Sequence, residues 1–506
     1  MSHFLSDSQI QNNLYDVDTV RKIDQAAITE LNNESIKLMK RAGVAAFEEL
    51  IQAFGQPRLI SVFCGAGNNA GDGYILAARA AEKLIPVQVI ELGDSKKFST
   101  ETSQARQFAE QNNVNFTNLD KSLDIKQGVI VDCLLGIGYQ GALRPSYDQA
   151  IDLINHAGLP VLSMDIPSGL NANTGSLEDN AVKADLTITF IGAKQGLFTG
   201  KGTALCGEII YHSLDISEPL FSKFKPSAQL MDVSRLLELM PQLQGDEYKN
   251  QRGHCMVVGG NHGYGGAVTM AAESSLRVGS GLTSVATQPE HVSSAIARCP
   301  EVMAFGVISG QQLEPWLKKP SVLVVGPGLG RSAWSEQLLQ KAVASELPMV
   351  LDADALNILA QGRVIKKITK PQWVLTPHVG EAARLLGVSA QEIQKDRFSA
   401  AQKIHAKYNA VVVLKGPGTL VVGPDQLTKI CPYGNPGMAT AGMGDLLSGI
   451  IGGLIAQGLS LQAAAELGVC LHSCAADMLV DDAGYRGIAA TDLLPYLHQL
   501  LNQESL

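Results

Sequence analysis

The 506-residue sequence has no Lys/Arg-rich block, and its net charge is −9. Nucleic acid and anionic membrane surfaces are therefore not expected as partners. The polar start, Met1 to Asn13, lacks the apolar core of a signal peptide. The late apolar stretch Leu446 to Ala456 falls well short of the roughly 20 residues a membrane span needs. A cytoplasmic protein with no membrane partner is the expectation. No framework of paired cysteines is present either. Cys470 and Cys474 flank His472 one helical turn apart, but no second ligand pair lies at zinc-site spacing. The eight scattered cysteines read as reduced, mostly buried thiols. No short internal repeat is visible.

What is present is a normal globular balance, with 45% apolar and 18% charged residues. The length suggests two or three domains, each with ample material for a core. The 50 glycines cluster in short loops after apolar runs, where a missing side chain lets the backbone approach a phosphate.

Two stretches alternate strand and helix patterns. In the first, Leu59 to Phe63, Val87 to Glu91, Gly128 to Asp132, Pro160 to Asp165, Leu186 to Phe190 and Glu208 to Ser213 read as strands. Tyr74 to Leu84, Thr102 to Gln111 and Tyr147 to Asn155 read as helices, after a helical segment at Val17 to Ala53. Near-continuous apolar strands separated by helices imply a parallel sheet covered on both faces. From Glu218 to Asn250 the pattern turns polar and irregular, with one helix at Val233 to Met240, and the domain boundary is placed near Phe224, giving domains 1–223 and 224–506. The second stretch has strands at His254 to Val258, Leu282 to Thr287, Val322 to Val325, Met349 to Leu351, Trp373 to Leu375 and Ala410 to Leu414. Its helices are Gly266 to Val278, Asp445 to Ala456 and Leu461 to Leu479.

In the first half, Cys64 to Gly73 links a strand to a helix through a glycine-rich turn that also carries Asn68, Asn69 and Asp72. Free N–H groups and the helix dipole there attract an anion. The spacing does not fit the ordinary dinucleotide fingerprint, and an Asx-rich turn that only caps a helix is the plain alternative. Asp132 and Asp165 end two further strands, each followed by a glycine-containing turn. In a doubly wound sheet such ends share one crevice. Asn69, Asp132 and Ser168 would then offer one carboxylate and two neutral oxygens, a set that suits a monovalent cation. Asp165 would be left to move a proton. Either aspartate could instead be a helix or turn cap.

These three segments, Cys64 to Gly73, Asp132 to Gly141 and Asp165 to Leu170, resemble the NAD(P)H-hydrate epimerase domain over about residues 10 to 215. The resemblance implies a Rossmann-like three-layer sandwich. It also implies a potassium ion held by Asn69, Asp132 and Ser168. The hydrated dinucleotide would be contacted by Asn68, Asn69, Ala70, Gly71, Asp72, Gly136, Ile137, Gly138, Tyr139, Gln140, Gly141, Ala142 and Asp165. Ala70 stands where the family commonly has Gly.

In the second half, Asn435 to Asp445 runs through three glycines into an apolar helix. Exposed N–H groups at Gly442 to Asp445 would form a pocket for a developing phosphoryl charge. Asp445, in the first turn, could take a proton from an attacking hydroxyl, or could merely complement the helix dipole. Lys415 to Thr419, Asp352 to Leu356 and Thr376 to Glu381 also follow strands. Lys415 and its glycine loop could hold a nucleotide phosphate, and His378 is a binding candidate.

With Arg252 to Gly260, Gly263 to Ala272 and Val325 to Gly330, this set resembles the ribokinase-like superfamily, and more narrowly the ADP- or ATP-dependent NAD(P)H-hydrate dehydratases, over about residues 230 to 500. The resemblance implies a second three-layer α/β sandwich. Ala267, Gly330, His378 and Asp445 would bind the hydrate. Lys415, Gly416, Pro417, Gly418, Thr419 and Gly444 would bind the nucleotide. ADP would be the co-substrate, with magnesium on it, and the enzyme would form a homo-oligomer. Two rivals stay open: a kinase of a vitamin-precursor alcohol, and a first half that is only a binding module.

Overall fold

The structure is a computed structural model that describes residues 12–119, 123, 125–139, 141–242, 245, 248–365 and 372–502. The chain divides into two compact units, one ending at Gln229 and one beginning at Leu230. The break anticipated near Phe224 precedes a short pairing that keeps the next residues with the first unit: Leu14 and Asn13 pair antiparallel with Ala228 and Gln229.

The first unit is built on a seven-stranded sheet. In spatial order its strands are Asn115–Asn118, Val87–Glu91, Ile60–Cys64, Val129–Cys133, Val161–Met164, Leu186–Phe190 and Glu208–His212, all parallel. The period of two explains the layers. Ile60, Val62 and Cys64 join the core on one face, with Val129, Val131 and Cys133. Phe63 and Ile130 point into the other core, with Tyr147 and Ile151 of the helix Pro145–His156. The strand order reverses between Ile60–Cys64 and Val129–Cys133, so the crevice lies outside their C-terminal ends.

One expected loop is helical. The helix Asn68–Glu82 starts six residues before the expected Tyr74. Asn, Gly and Asp have poor helix propensity, which is why this stretch reads as a turn. Packing overrides it: Ala70 and Tyr74 are fully buried, and Gly71 lies against Met39 of the helix Ser35–Phe54.

In the second unit the strands run Thr428–Ile430, Leu420–Val422, Val411–Leu414, Trp373–Leu375, Met349–Leu351, Val322–Val325, His254–Val258, Leu282–Thr287 and Met303–Gly306. All neighbours are parallel except the pairings that add Leu420–Val422 and Thr428–Ile430 as a hairpin edge. Cys255, Val257, Val324, Val350, Val374 and Val413 share one core with the helices Met443–Ala456 and Leu461–Ala483. The intervening strand residues, such as Met256, Leu323 and Leu375, are buried on the opposite face. Each unit is thus a three-layer α/β sandwich.

The helix Leu461–Ala483 has 23 residues and a mean hydropathy of 1.4, enough by length and composition to cross a membrane. The sequence predicts a helix here, over Leu461 to Leu479, and the structure extends it by four residues to Ala483. Of its most apolar window, 78% is buried inside the protein, so it is a core helix. All eight cysteines are free and buried, and among the described residues no group of three His, Cys, Asp or Glu side chains is placed to hold a metal.

Candidate active sites

The first unit has a cavity of about 820 Å³ at its switch point. Asn68, Asn69 and Asp72 line it from the helix start, Gly136, Ile137, Gly138, Tyr139 and Ala142 from the next strand's loop, and Asp165 from the third. Ala70, Gly71 and Gly141 are not among its lining residues. Ala70 and Gly71 are buried in the helix against the core, where the helical path requires no glycine at position 70. Gln140 lies outside the described residues.

Asp132, Ser168 and Asn69 converge beneath this cavity. The Asp132 carboxylate is fully buried and accepts from Ser168 Oγ at 2.6 Å, Ser168 N at 2.8 Å, Ser163 Oγ at 2.9 Å and Leu134 N at 3.2 Å. Burial pushes its pKa up, and these donors pull it back. Leu135 links the set: its N–H donates to Ser168 Oγ at 2.8 Å, and its carbonyl accepts from Asn69 Nδ2 at 3.1 Å. Asn69 Oδ1 is buried with no hydrogen-bond partner. A buried oxygen left without a donor, linked through Leu135 to the Ser168 hydroxyl, fits a bound cation.

Asp165 leaves its strand with φ +64°, a conformation that aspartate tolerates better than most side chains. Its Oδ1 accepts from Phe190 N at 3.2 Å and from the Lys194 ammonium. Lys194 is 1% exposed. The sequence reading missed this lysine. The available signal was a lone Lys in the otherwise apolar run that follows Phe190.

In the second unit the loops after five adjacent parallel strands meet at one sheet end. Lys415 Nζ donates to Asp352 Oδ1 at 2.7 Å, which also accepts from Thr376 Oγ1 at 2.8 Å. Glu381 Oε2 is 3.9 Å from Lys415 Nζ. A side chain added at Gly444 would sit 3.2 Å from Lys415 Nζ and 3.7 Å from Asp352 Oδ2, so the glycine start of the helix Met443–Ala456 abuts the lysine. Gly442 caps this helix with φ +91°. Burial and the nearby Asp352 charge push Asp445 up to about 7, with Lys415 opposing. Burial disfavours the charge on Lys415, but Asp352 and Glu381 outweigh it and hold its pKa above the usual value.

His378 caps the helix Val379–Leu386: Nδ1 accepts from Gly380 N at 2.9 Å, and the His378 backbone N–H donates to Glu381 Oε2 at 2.8 Å. It therefore has a structural role and still sits beside Lys415, which together with burial lowers its pKa. Gly330 adopts φ +69° and its N–H donates to Asp354 Oδ2 at 3.0 Å. Ala267 lies in the first turn of the helix Gly265–Arg277, against Gly328 of the same loop as Gly330. Asp352, Glu381 and the buried Arg397 escaped the sequence reading as site residues. Arg397 is 0% exposed and donates to the carbonyl of Leu414 at 3.2 Å, at the base of the Lys415–Thr419 loop.

A family model described as NAD(P)H-hydrate dehydratase matches residues 255–499, and one described as YjeF-related protein N-terminus matches residues 35–196. The bifunctional NAD(P)H-hydrate repair enzyme Nnr of Coxiella burnetii is 45% identical over 489 residues, covering 97% of this chain and 99% of its own. That of Escherichia coli K12 is 38% identical over 499 residues, covering 98% and 95%. A ribokinase-like superfamily protein from Enterococcus faecalis superposes with a TM-score of 0.51 at 30% identity, over 54% of this chain and 95% of that one. The chain belongs to the family of bifunctional NAD(P)H-hydrate repair enzymes, with an epimerase domain followed by a dehydratase domain.

Proposed function

We propose that the C-terminal site dehydrates the S hydrate of NADH or NADPH at the expense of ADP, with Asp445 as its general base. The observation that carries this reading is an aspartate pushed up to about 7, in the first turn of a glycine-started helix, beside the Lys415–Asp352 pair. A base is most effective when its pKa lies near the working pH. Asp445 takes the proton of the C6 hydroxyl as that oxygen attacks the β-phosphorus of ADP. The N–H groups of Gly442 to Gly444 and the Lys415 ammonium face the charge that grows on the phosphoryl oxygens. The ring nitrogen then expels phosphate, the resulting C6–N1 iminium gives up a proton from C5 to the departing phosphate, and NAD(P)H, AMP and phosphate remain. Lys415 to Thr419 and Gly444 hold the nucleotide, and Ala267, Gly330 and His378 hold the hydrate. Magnesium enters with the nucleotide.

The N-terminal site interconverts the R and S hydrates, with Asp165 in contact with the substrate. Potassium would be held by Asn69, Asp132 and Ser168, where it would supply fixed positive charge beside the dinucleotide. The orphan Asn69 Oδ1 supports that assignment.

Incubation of the full chain with S hydrate and ADP tests the dehydration reading. One AMP and one phosphate should appear per dihydronicotinamide recovered. A stable phosphate ester of the substrate would instead make the second half a kinase.

A further inference from the structure

The helix Val17–Glu30 buries Val17, Val20, Ile23 and Ala27 as a stripe at three- and four-residue spacing. Asp24 borders that stripe, half-buried next to Ile23. It lines the first unit's cavity together with Asp72, Asp165 and Lys194. Three carboxyl groups thus share one ammonium. That ammonium's three protons are already directed to Asp165 Oδ1, to Phe190 O at 2.9 Å and to Thr189 Oγ1 at 3.2 Å.

We propose that Asp24 is a further catalytic residue of the epimerase site and works as the proton-carrying partner of Asp165. The proposal rests on the epimerase reading of this cavity. Two carboxyls in one site with separate environments divide into an acid and a base. Asp165 Oδ1 accepts from the Lys194 ammonium. Asp24 has no share in that ammonium's hydrogen bonds. Burial pushes it up to about 6; Lys194 opposes the shift and Asp165 adds to it. Asp72, on the helix Asn68–Glu82, is pushed well above the usual carboxylate range by burial, Asp165 and Asp24, with Lys194 opposing. The other charged groups facing the cavity are Arg21 on Asp24's own helix, and Lys97, Glu101 and Arg144.

The step balances without a further reagent. Asp24 gives its proton to the C6 hydroxyl as the C6–O bond breaks, and the bonding pair leaves with the oxygen as water. The ring-nitrogen lone pair forms a C6–N1 double bond. Water adds to the opposite face of C6, the nitrogen recovers its pair, and the added water's spare proton goes to Asp165. One proton is given and one is taken. For the next turnover in the same direction, the proton passes from Asp165 back to Asp24.

The test uses the full chain, purified R hydrate without ADP, and the rate of S hydrate appearance as a function of pH. Asp24→Asn should lower kcat for exchange about 10²- to 10⁴-fold, the usual weight of one acid–base group, with KM nearly unchanged. The limb of the pH profile nearest 6 should vanish from the residual rate. Asp24→Glu keeps the acid on a longer arm and should retain that limb at a reduced rate, which covers the case of an Asn variant that folds poorly. Exchange by Asp24→Asn at the parental rate with the limb intact overturns the proposal and leaves the epimerase site standing. A rise in KM alone, with kcat and limb intact, makes Asp24 a binding residue and overturns it too. No exchange by the parental chain would remove the epimerase reading of the cavity and this proposal with it.

Discussion

Asp445 combines two demands that oppose each other. As a base it must lose its proton near pH 7, and its burial makes that loss costly. An acid whose folded pKa lies above its unfolded value binds more protons folded than unfolded in between. Its effect is therefore to weaken folding as pH rises from about 4 to about 7. Asp445→Asn keeps the shape and removes the charge. Dehydration should fall about 10²- to 10⁴-fold, while ADP binding persists. In thermal melts at pH 8 the variant's C-terminal unit should be at least as stable as the parent's, and that advantage should shrink toward pH 4. A variant that melts lower yet turns over normally would make Asp445 a helix-start residue only. The parental dehydration rate should rise with pH through about 7. In the first unit, Asn69→Ala deletes the orphan oxygen and should raise the potassium concentration needed for half-maximal exchange. Asp132→Ala should weaken the potassium response as well, but it also strips a partner from four donors, so a measured loss of stability belongs with it. A potassium response unchanged in both variants would empty the proposed cation site.

At the scale of elements, the dehydratase site depends on how closely its helix can pack. Gly449 lets Met443–Ala456 approach Gly265–Arg277 so nearly that an added Cβ would lie 1.9 Å from Ala271 O and 2.2 Å from Ser274 Oγ. Gly449→Ala should cost about 1–3 kcal/mol as an overpacked core, and should shift the helix start. Dehydration should then drop while R/S exchange stays at the parental rate, read in parallel assays on one preparation. The apolar strands were legible in the sequence because burial on both faces leaves continuous Val/Ile/Leu runs, as at Val322–Val325. The half-exposed edges were not: Asn115–Asn118 and Met303–Gly306 have no buried residue, and the hairpin Leu420–Val422 with Thr428–Ile430 is too short to show a period. The helices from Ala333–Ala344 to Arg397–Tyr408 also went unread. Site residues on glycine-rich strand ends were visible for the same reason the strands were. Asp24 and Lys194 were not, because neither has a motif around it.

At the scale of the whole molecule, the two activities answer one chemical problem. Water added at C6 of a reduced nicotinamide creates a stereocentre, a chiral dehydratase site accepts one hand, and an epimerase supplies it from the other. Each unit has its own sheet and core. A chain beginning at Pro226 should therefore dehydrate the S hydrate unaided, and a requirement for residues 1–220 in that step would count against two independent sites. The most direct measurement follows the return of dihydronicotinamide absorbance when the full chain meets an equal mixture of R and S hydrates. With ADP, the parental chain should recover both hands, Asp165→Asn should stop its fast phase at the S half, and Asp445→Asn should recover almost nothing. Recovery without ADP, or fast recovery of both hands by Asp165→Asn, would contradict the account.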